Sequence, residues 1–145
     1  MSTVSKVIGK KESGILSVSP DTPVFDAIEK MAKISAGTAL VMDGNQLVGI
    51  ISERDFIRKL YLKNKCGQGG AVKEIMSANL TTVTPDDELD TCMGLMTDKR
   101  IRHLPVVEDG TVAGIISLGD IVKYLVDEKD FEIRNLQSYI SGPGL

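Results

Sequence analysis

The chain has 145 residues, 42 % of them hydrophobic and 26 % charged, with a formal net charge of -3. That is the makeup of one ordinary domain, or of two small units sharing a core, and it offers no general attraction to nucleic acid or to an anionic membrane. No apolar run is long enough to span a bilayer, and the opening MSTVSKVIGKKE has no apolar signal core, so the expected location is cytoplasmic.

The elements follow in chain order. A β stretch, LSVSPD (16–21), ends in a Pro-Asp turn. A helix follows, with Thr22 as its expected N-cap and Pro23 at the first helical position, where a missing N–H costs nothing. Val24, Ala27, Ile28 and Met31 line its apolar face. A strand (ALVM), a tight turn (DGN) and a second strand (QLVGIIS) read as a hairpin. The run SERDFIRKLYLK then starts a second helix at Ser52. The segment NKCGQGGA (64–71) carries three glycines and reads as a flexible linker.

The same plan then returns. TTVTPD leads to Asp87 as expected cap and to a helix faced by Leu89, Cys92, Met93 and Met96. LPVV, EDG and TVAGIIS form the second hairpin, and SLGDIVKYLVDE the second helix, from Ser117. DFEIRNLQSYI has apolar residues at helical spacing (Phe131, Ile133, Leu136, Ile140), and SGPGL reads as a frayed tail. Shifted by 65 positions, Val18–Leu60 aligns on Val83–Leu125 without a gap, and eleven of the 43 pairs are identical. Such repetition marks a unit that buries one face against its copy. The expected unit is βαββα, in copies 4–63 and 72–128 followed by a helix and tail at 129–145.

The repeat keeps GIISERD (49–55) and GIISLGD (114–120), so Ser52 and Asp55 recur as Ser117 and Asp120. One reading is a capping box, in which the hydroxyl accepts from an orphan backbone N–H and the carboxylate reaches back. The other is a ligand cleft. Helix N-termini attract phosphate, an acidic residue can hold a ribose diol, and the glycine permits close backbone approach. The two readings are compatible.

Two such copies, each with a Pro-Asp turn, an LPVV-type strand and a Gly-apolar-apolar-Ser-x-x-Asp strand end, resemble cystathionine β-synthase-type (CBS) domains. As a pair they resemble a Bateman module, over residues 4–128. The resemblance implies an α+β fold with pseudo-twofold symmetry and a stand-alone two-CBS protein of the signal-transduction type. It implies a regulatory sensor of an adenosine ligand (AMP, ADP, ATP, S-adenosylmethionine or NAD(H)), with no catalytic cofactor and no metal. It implies a flat homodimer meeting through the second helices, Asp55 to Leu62 and Asp120 to Val126, and an unidentified regulated protein.

The resemblance also implies two clefts assembled across the copies. One joins Ser52 and Asp55 to Asp87, Cys92, Arg102, His103 and Leu104. The other joins Ser117 and Asp120 to Thr22, Ala27, Gly37, Thr38 and Ala39. Arg102 and His103 are suited to phosphate, and their counterparts are Gly37 and Thr38. Arg54 adds a cation where copy two has Gly119. The Asp55 cleft is therefore expected to be the stronger anion site, and a phosphate beside His103 would make binding pH-dependent. The competing reading of Arg100, Arg102 and His103 is a solvated patch near a helix end.

Other candidates favour structure. Arg58, Lys59, Lys63 and Lys65 suit a helix C-terminus, and Asp86, Asp87, Glu88 and Asp90 a helix start. One histidine excludes a multi-histidine metal site. Cys66 and Cys92 lack metal or disulfide spacing and are expected as reduced thiols. No P-loop occurs, and no nucleophile–base pair is available beyond the one histidine. A dimerising scaffold without a physiological ligand, and an enzyme acting on a nucleotide, remain as rival functions.

Overall fold

The computed structural model describes residues 2–9, 15–61 and 70–141. Most of the expected linker, with Cys66, and the last four residues of the tail lie outside them. The elements are α1 (Val4–Ile8), β1 (Ser17–Val18), α2 (Val24–Lys33), β2 (Thr38–Asp43), β3 (Gln46–Ser52) and α3 (Glu53–Asp55). After a 3-10 turn at Val72–Glu74 come α4 (Leu89–Lys99), β4 (His103–Glu108), β5 (Thr111–Ser117) and α5 (Leu118–Ser141).

Both hairpins form where the Asp-Gly signals place them. β2 pairs antiparallel with β3 and β4 with β5, each with an irregularity after the fourth residue of the first strand. Gly44 and Gly110 hold positive φ in the turns, as does Asp109. The copies differ at their first strand. β1 runs parallel to β2, and Leu40 N–H donates to Leu16 C=O at 3.0 Å. The equivalent of Leu40 is Pro105, which has no N–H to donate. The expected strand TTV therefore shrinks to a bridge between Val83 and Val106.

The copies exchange their leading segments. Val4 and Val7 of α1 are buried in the core of copy two, with Leu89, Cys92, Met96, Leu104 and Ile116. Val72 and Ile75 are buried in the core of copy one, with Val24, Ala27, Met31, Val41 and Ile51. Main-chain bonds repeat the exchange. Val4 N–H donates to Asp87 C=O, and Val72 N–H to Thr22 C=O, at 2.9 and 2.8 Å. These segments also begin the helices, since Val24 N–H donates to Gly70 C=O and Leu89 N–H to Ser2 C=O, at 2.9 and 3.0 Å. The two copies are thereby interlocked.

Three local expectations need correction. Thr22 and Asp87 do not cap α2 and α4; the N-cap positions fall on Pro23 and Glu88, neither with a side-chain cap bond. Thr22 Oγ1 instead accepts from Ser19 N–H at 3.0 Å, and Asp87 Oδ2 from Thr84 N–H at 2.8 Å, closing the Pro-Asp turns. The crossing carbonyls have taken over the helix starts. The second helix of copy one is α-helical only over α3 and continues as π-helix at Phe56–Tyr61. The second helix of copy two and the C-terminal helix are one continuous element of 24 residues.

Gly49 has no room for a side chain. A Cβ there would lie 3.2 Å from Ser77 C=O and 2.5 Å from Met76 Sδ, whereas at Gly114 the nearest atom would be Ile8 Cγ2 at 3.8 Å. Gly49→Ala is expected to lower stability by about 1–3 kcal/mol, the range for overpacking. Gly114→Ala should stay within about 0.5 kcal/mol of the parent, the scale of a change that disturbs no packing. Urea denaturation of both variants checks the contrast.

Candidate functional site

The strand ends deliver both Ser–Asp pairs to helix starts. At Ser52, the backbone N–H donates to Asp55 Oδ2 at 2.8 Å and the hydroxyl to the same oxygen at 3.2 Å. Asp55 N–H donates back to Ser52 Oγ at 3.4 Å. At Ser117, the N–H donates to Asp120 Oδ2 and Asp120 N–H to Ser117 Oγ, both at 3.0 Å. Both pairs are capping boxes. Capping engages Oδ2 of Asp55, while Oδ1 lies 3.5 Å from Lys59 Nζ. The ammonium also donates to Ile75 C=O at 2.9 Å.

Two cavities meet at the pseudo-twofold axis. The first, about 670 Å³, is lined from copy one by Ser52, Glu53, Arg54, Asp55 and Arg58 and from copy two by Asn79, Leu80, Thr81, Lys99, Arg100, Arg102 and His103. The second, about 640 Å³, is lined by Ile15, Leu16, Ile34, Ser35 and Ala36 against Ala113, Gly114, Ile115 and Ser117. Gly37, Thr38 and His103 line both. Thr38 and His103 are repeat equivalents, paired across the hairpins with Ser52 and Ser117 respectively.

The cavities are built from equivalent positions but carry opposite chemistry. Lys99, Arg100 and Arg102 of the first correspond to Ile34, Ser35 and Gly37 of the second. Five fixed cations and two carboxylates line the first, and among the described residues no Lys, Arg, Asp or Glu lines the second. Arg54 crosses between the copies, donating from Nη1 to Arg100 C=O at 3.3 Å. That carbonyl ends α4, at a left-handed residue with φ 55°. The hydroxyl of Thr38 is buried and has no hydrogen-bond partner among the described residues, although Thr38 stands at the wall of both cavities.

The structure therefore brings Ser52, Arg54 and Asp55 together with Arg102 and His103, and Ser117 together with Gly37 and Thr38. It does not bring the other expected residues to these walls. Cys92, Leu104, Ala27 and Ala39 are buried in the cores. Asp87 and Thr22 close turns, and Gly119 and Asp120 line neither cavity. Sequence reasoning missed Asn79, Leu80 and Thr81, and Ile15 and Leu16 opposite. The repeat alignment held the signal, since Leu80 and Thr81 are the equivalents of Ile15 and Leu16 and directly precede the Pro-Asp turns.

A family model of the CBS domain matches residues 8–62 and again 72–127. The chain belongs to the CBS-domain family, as a tandem pair. CBS domain-containing protein CBSX3, mitochondrial, of Arabidopsis thaliana is 38 % identical over 148 residues, spanning 98 % of this chain and 72 % of that protein. A solved protein with CBS domains from Burkholderia ambifaria MC40-6 is 40 % identical with a TM-score of 0.83, covering 87 % of this chain and 95 % of its own. The crystal structure of CBSX2 in complex with AMP is 25 % identical with a TM-score of 0.74, covering 86 % of this chain and 97 % of its own. Among the described residues, no helix is long and apolar enough to cross a membrane.

Two outcomes follow from the local chemistry. Ser52→Ala and Ser117→Ala should each lower stability by about 0.5–2 kcal/mol. The larger loss belongs to Ser117, whose cap bond is shorter, and denaturant titration ranks the two. At Cys92, burial pushes the thiol above its ordinary range, helped by the negative charge of Asp87. The folded thiol therefore keeps its proton to higher pH than the unfolded one. That stability is fully present below the unfolded pKa of about 8.5 and is lost as pH rises towards the folded value. Cys92→Ala should flatten the alkaline fall in stability, measured by urea titration between neutral and strongly alkaline pH.

Proposed function

We propose that the chain is a regulatory module that takes a phosphate-bearing adenosine ligand in the first cavity and reports its presence to a partner protein. The observation that carries this reading is the meeting of five cations and the Ser52–Asp55 pair in one cavity between the copies. The Asp55 carboxylate, whose Oδ1 keeps acceptor sites beside its 3.5 Å contact with Lys59 Nζ, suits a ribose diol, and Arg102 and His103 suit the phosphates, by charge-assisted bonds. Bound AMP in the related CBSX2 structure supports the ligand class. The density of positive charge favours ADP and ATP over AMP. The second cavity, lined by no Lys, Arg, Asp or Glu among the described residues, suits a neutral half of a larger ligand, such as NAD(H), or S-adenosylmethionine without its own phosphate.

Leaving the Thr38 hydroxyl unpaired costs about 1–3 kcal/mol, and a ligand polar atom would recover it. Because the first cavity spans both copies and Arg54 already links them, an occupant alters the relation between the copies. It can do so only through different affinity for the two arrangements. The reading is regulatory rather than catalytic. The rival is a scaffold that dimerises and binds nothing, and the exposed apolar residues Ile57 and Val122, at equivalent positions of the two second helices, serve either.

The test is a thermal-shift and calorimetric series with AMP, ADP, ATP, NAD⁺, NADH and S-adenosylmethionine. A ligand at 100 times its dissociation constant should stabilise the fold by about 2.7 kcal/mol, a shift of several degrees. Affinity should rise with phosphate number and fall with salt. Asp55→Ala should abolish binding. Asp120→Ala removes an equivalent cap, and it should leave binding at the first cavity intact. Silence across the series with a folded protein would return both Ser–Asp pairs to capping alone and leave the scaffold.

A further inference from the structure

Lys59 joins the Asp55 carboxylate to a distant part of the chain. Its ammonium donates to Ile75 C=O at 2.9 Å and lies 3.5 Å from Asp55 Oδ1. On an open surface, an ion pair one helical turn apart contributes little. Here the Asp55 side chain is only 14 % exposed, and the second acceptor belongs to the segment that crosses in from copy two. That carbonyl follows the 3-10 turn at Val72–Glu74, and a helix end leaves its last carbonyls without partners in the helix. Capping this carbonyl is one use for a lysine. Three further observations give Lys59 a second use.

First, the repeat keeps a contact at this place. The equivalent of Lys59 is Tyr124, whose hydroxyl lies 3.5 Å from that of Ser2. In both copies the second helix thus touches the segment that crosses onto it, and in copy one the contact also takes in the aspartate of the capping box. Second, the crossing segment runs straight into the cavity wall. Ser77 N–H donates to Ile50 C=O at 2.9 Å and Ile50 N–H to Ser77 C=O at 3.1 Å, and both residues line the first cavity. Ile75 itself is fully buried in the core of copy one, so this end of the contact is firmly held. Third, the backbone leaves α geometry here. Lys59 lies in the π-helix Phe56–Tyr61, whereas the equivalent residues 121–126 stay α-helical within α5. Short π segments occur mostly at functional sites.

We propose that Lys59 is a positioning residue for the first cavity. It holds the Asp55 carboxylate where a ligand diol meets it, and it fastens that carboxylate to the crossing segment at Ile75. This rests on the reading of Asp55 as the diol acceptor. Lys59 acts through Asp55, since it stands outside the lining of both cavities. A carboxylate has about four acceptor sites. Oδ2 accepts from the N–H and the hydroxyl of Ser52, and Oδ1 meets Lys59, which leaves Oδ1 room for a ligand hydroxyl. A carboxylate already held in place leaves the ligand less ordering to do. The ligand therefore binds the fastened arrangement more tightly and shifts the population towards it. By reciprocity, an occupant of the cavity steadies the segment at Ile75 as much as Lys59 aids the occupant. Occupancy is thereby reported at the interlock between the copies.

Calorimetry of the full chain with adenosine and with ATP tests this, since adenosine carries the diol without a phosphate. Lys59→Met keeps the stem and removes the ammonium. It should weaken both ligands by the same factor, about tenfold, within the usual range of a coupling between sites. Lys59→Arg, which keeps the charge and the donors, should restore most of the affinity. Tyr124→Phe removes the equivalent contact of copy two, and it should lower stability in denaturant while leaving both affinities unchanged. Hydrogen exchange gives a readout that needs no variant. Saturating ATP should slow the amides of Ile75 and Met76, which stand outside the lining of both cavities. At equal saturation, Lys59→Met should remove that slowing. Adenosine binding that is unchanged or tighter in Lys59→Met overturns the proposal, as does a loss confined to ATP. So does exchange at Ile75 and Met76 that ignores ATP, or an equal loss of affinity in Tyr124→Phe. In each of these results the parent chain still binds, and the nucleotide reading stands. A parent that binds neither ligand overturns both.

Discussion

The fold depends on the reciprocal crossing of its two leading segments. Each places a backbone carbonyl, from Ser2 or Gly70, on the first N–H of the other segment's helix, at Leu89 or Val24. Each also buries two side chains in that helix's core. A helix start otherwise leaves donors unsatisfied, and neither α2 nor α4 supplies a side-chain cap of its own. Neither copy is thus complete without a piece from the other end of the repeat boundary. The cavities between the copies inherit a fixed geometry from this interlock.

On that symmetric frame the chemistry is asymmetric. The same backbone positions form both cavities, yet the residues at those positions have diverged from Ile34, Ser35 and Gly37 to Lys99, Arg100 and Arg102. Divergence has left alone the parts that hold the frame: Gly–Ile–Ile–Ser and the aspartate of each capping box. The pairs kept in both copies thus carry folding, and the differences between copies set the charge of the two cavity walls. Pro105 shows how one substitution serves both levels. It removes a ladder donor and reduces the first strand of copy two to a bridge, and it lines the charged cavity itself.

Much of this was legible in the sequence because it rests on local signals. The 65-residue repeat, both Asp-Gly hairpins, the faces of α2 and α4, and the meeting of Asp55 with Arg102 and His103 follow from periodicity, turn chemistry and the family pattern. Other features depend on contacts distant in sequence. Thr22 and Asp87 have the chemistry of caps, but carbonyls from remote segments occupy those helix starts, and the side chains turn back onto Ser19 and Thr84. The family resemblance points to Cys92 at the cleft, yet its face of α4 is buried in the core. The expected boundary between 128 and 129 is no break in the helix. Residues 118 to 141 contain no proline and only Gly119 near the start, so nothing interrupts the helix.

The capping role of the Ser–Asp pair explains why it can be kept twice while the described walls of the two cavities differ in charge. A carboxylate has two oxygens and about four acceptor sites. Capping takes Oδ2 at both aspartates. At Asp55 the second oxygen lies 3.5 Å from Lys59 Nζ, and the residue lines the first cavity. Asp120 lines neither cavity but keeps its cap. A residue that stabilises a helix start is retained by folding whatever happens to the ligand. The wall residues around it can then differ between copies, here Lys99, Arg100 and Arg102 against Ile34, Ser35 and Gly37, without disturbing the cap. The pair at Ser117 thus caps beside a wall of small and apolar side chains, and the pair at Ser52 is the same device set among cations.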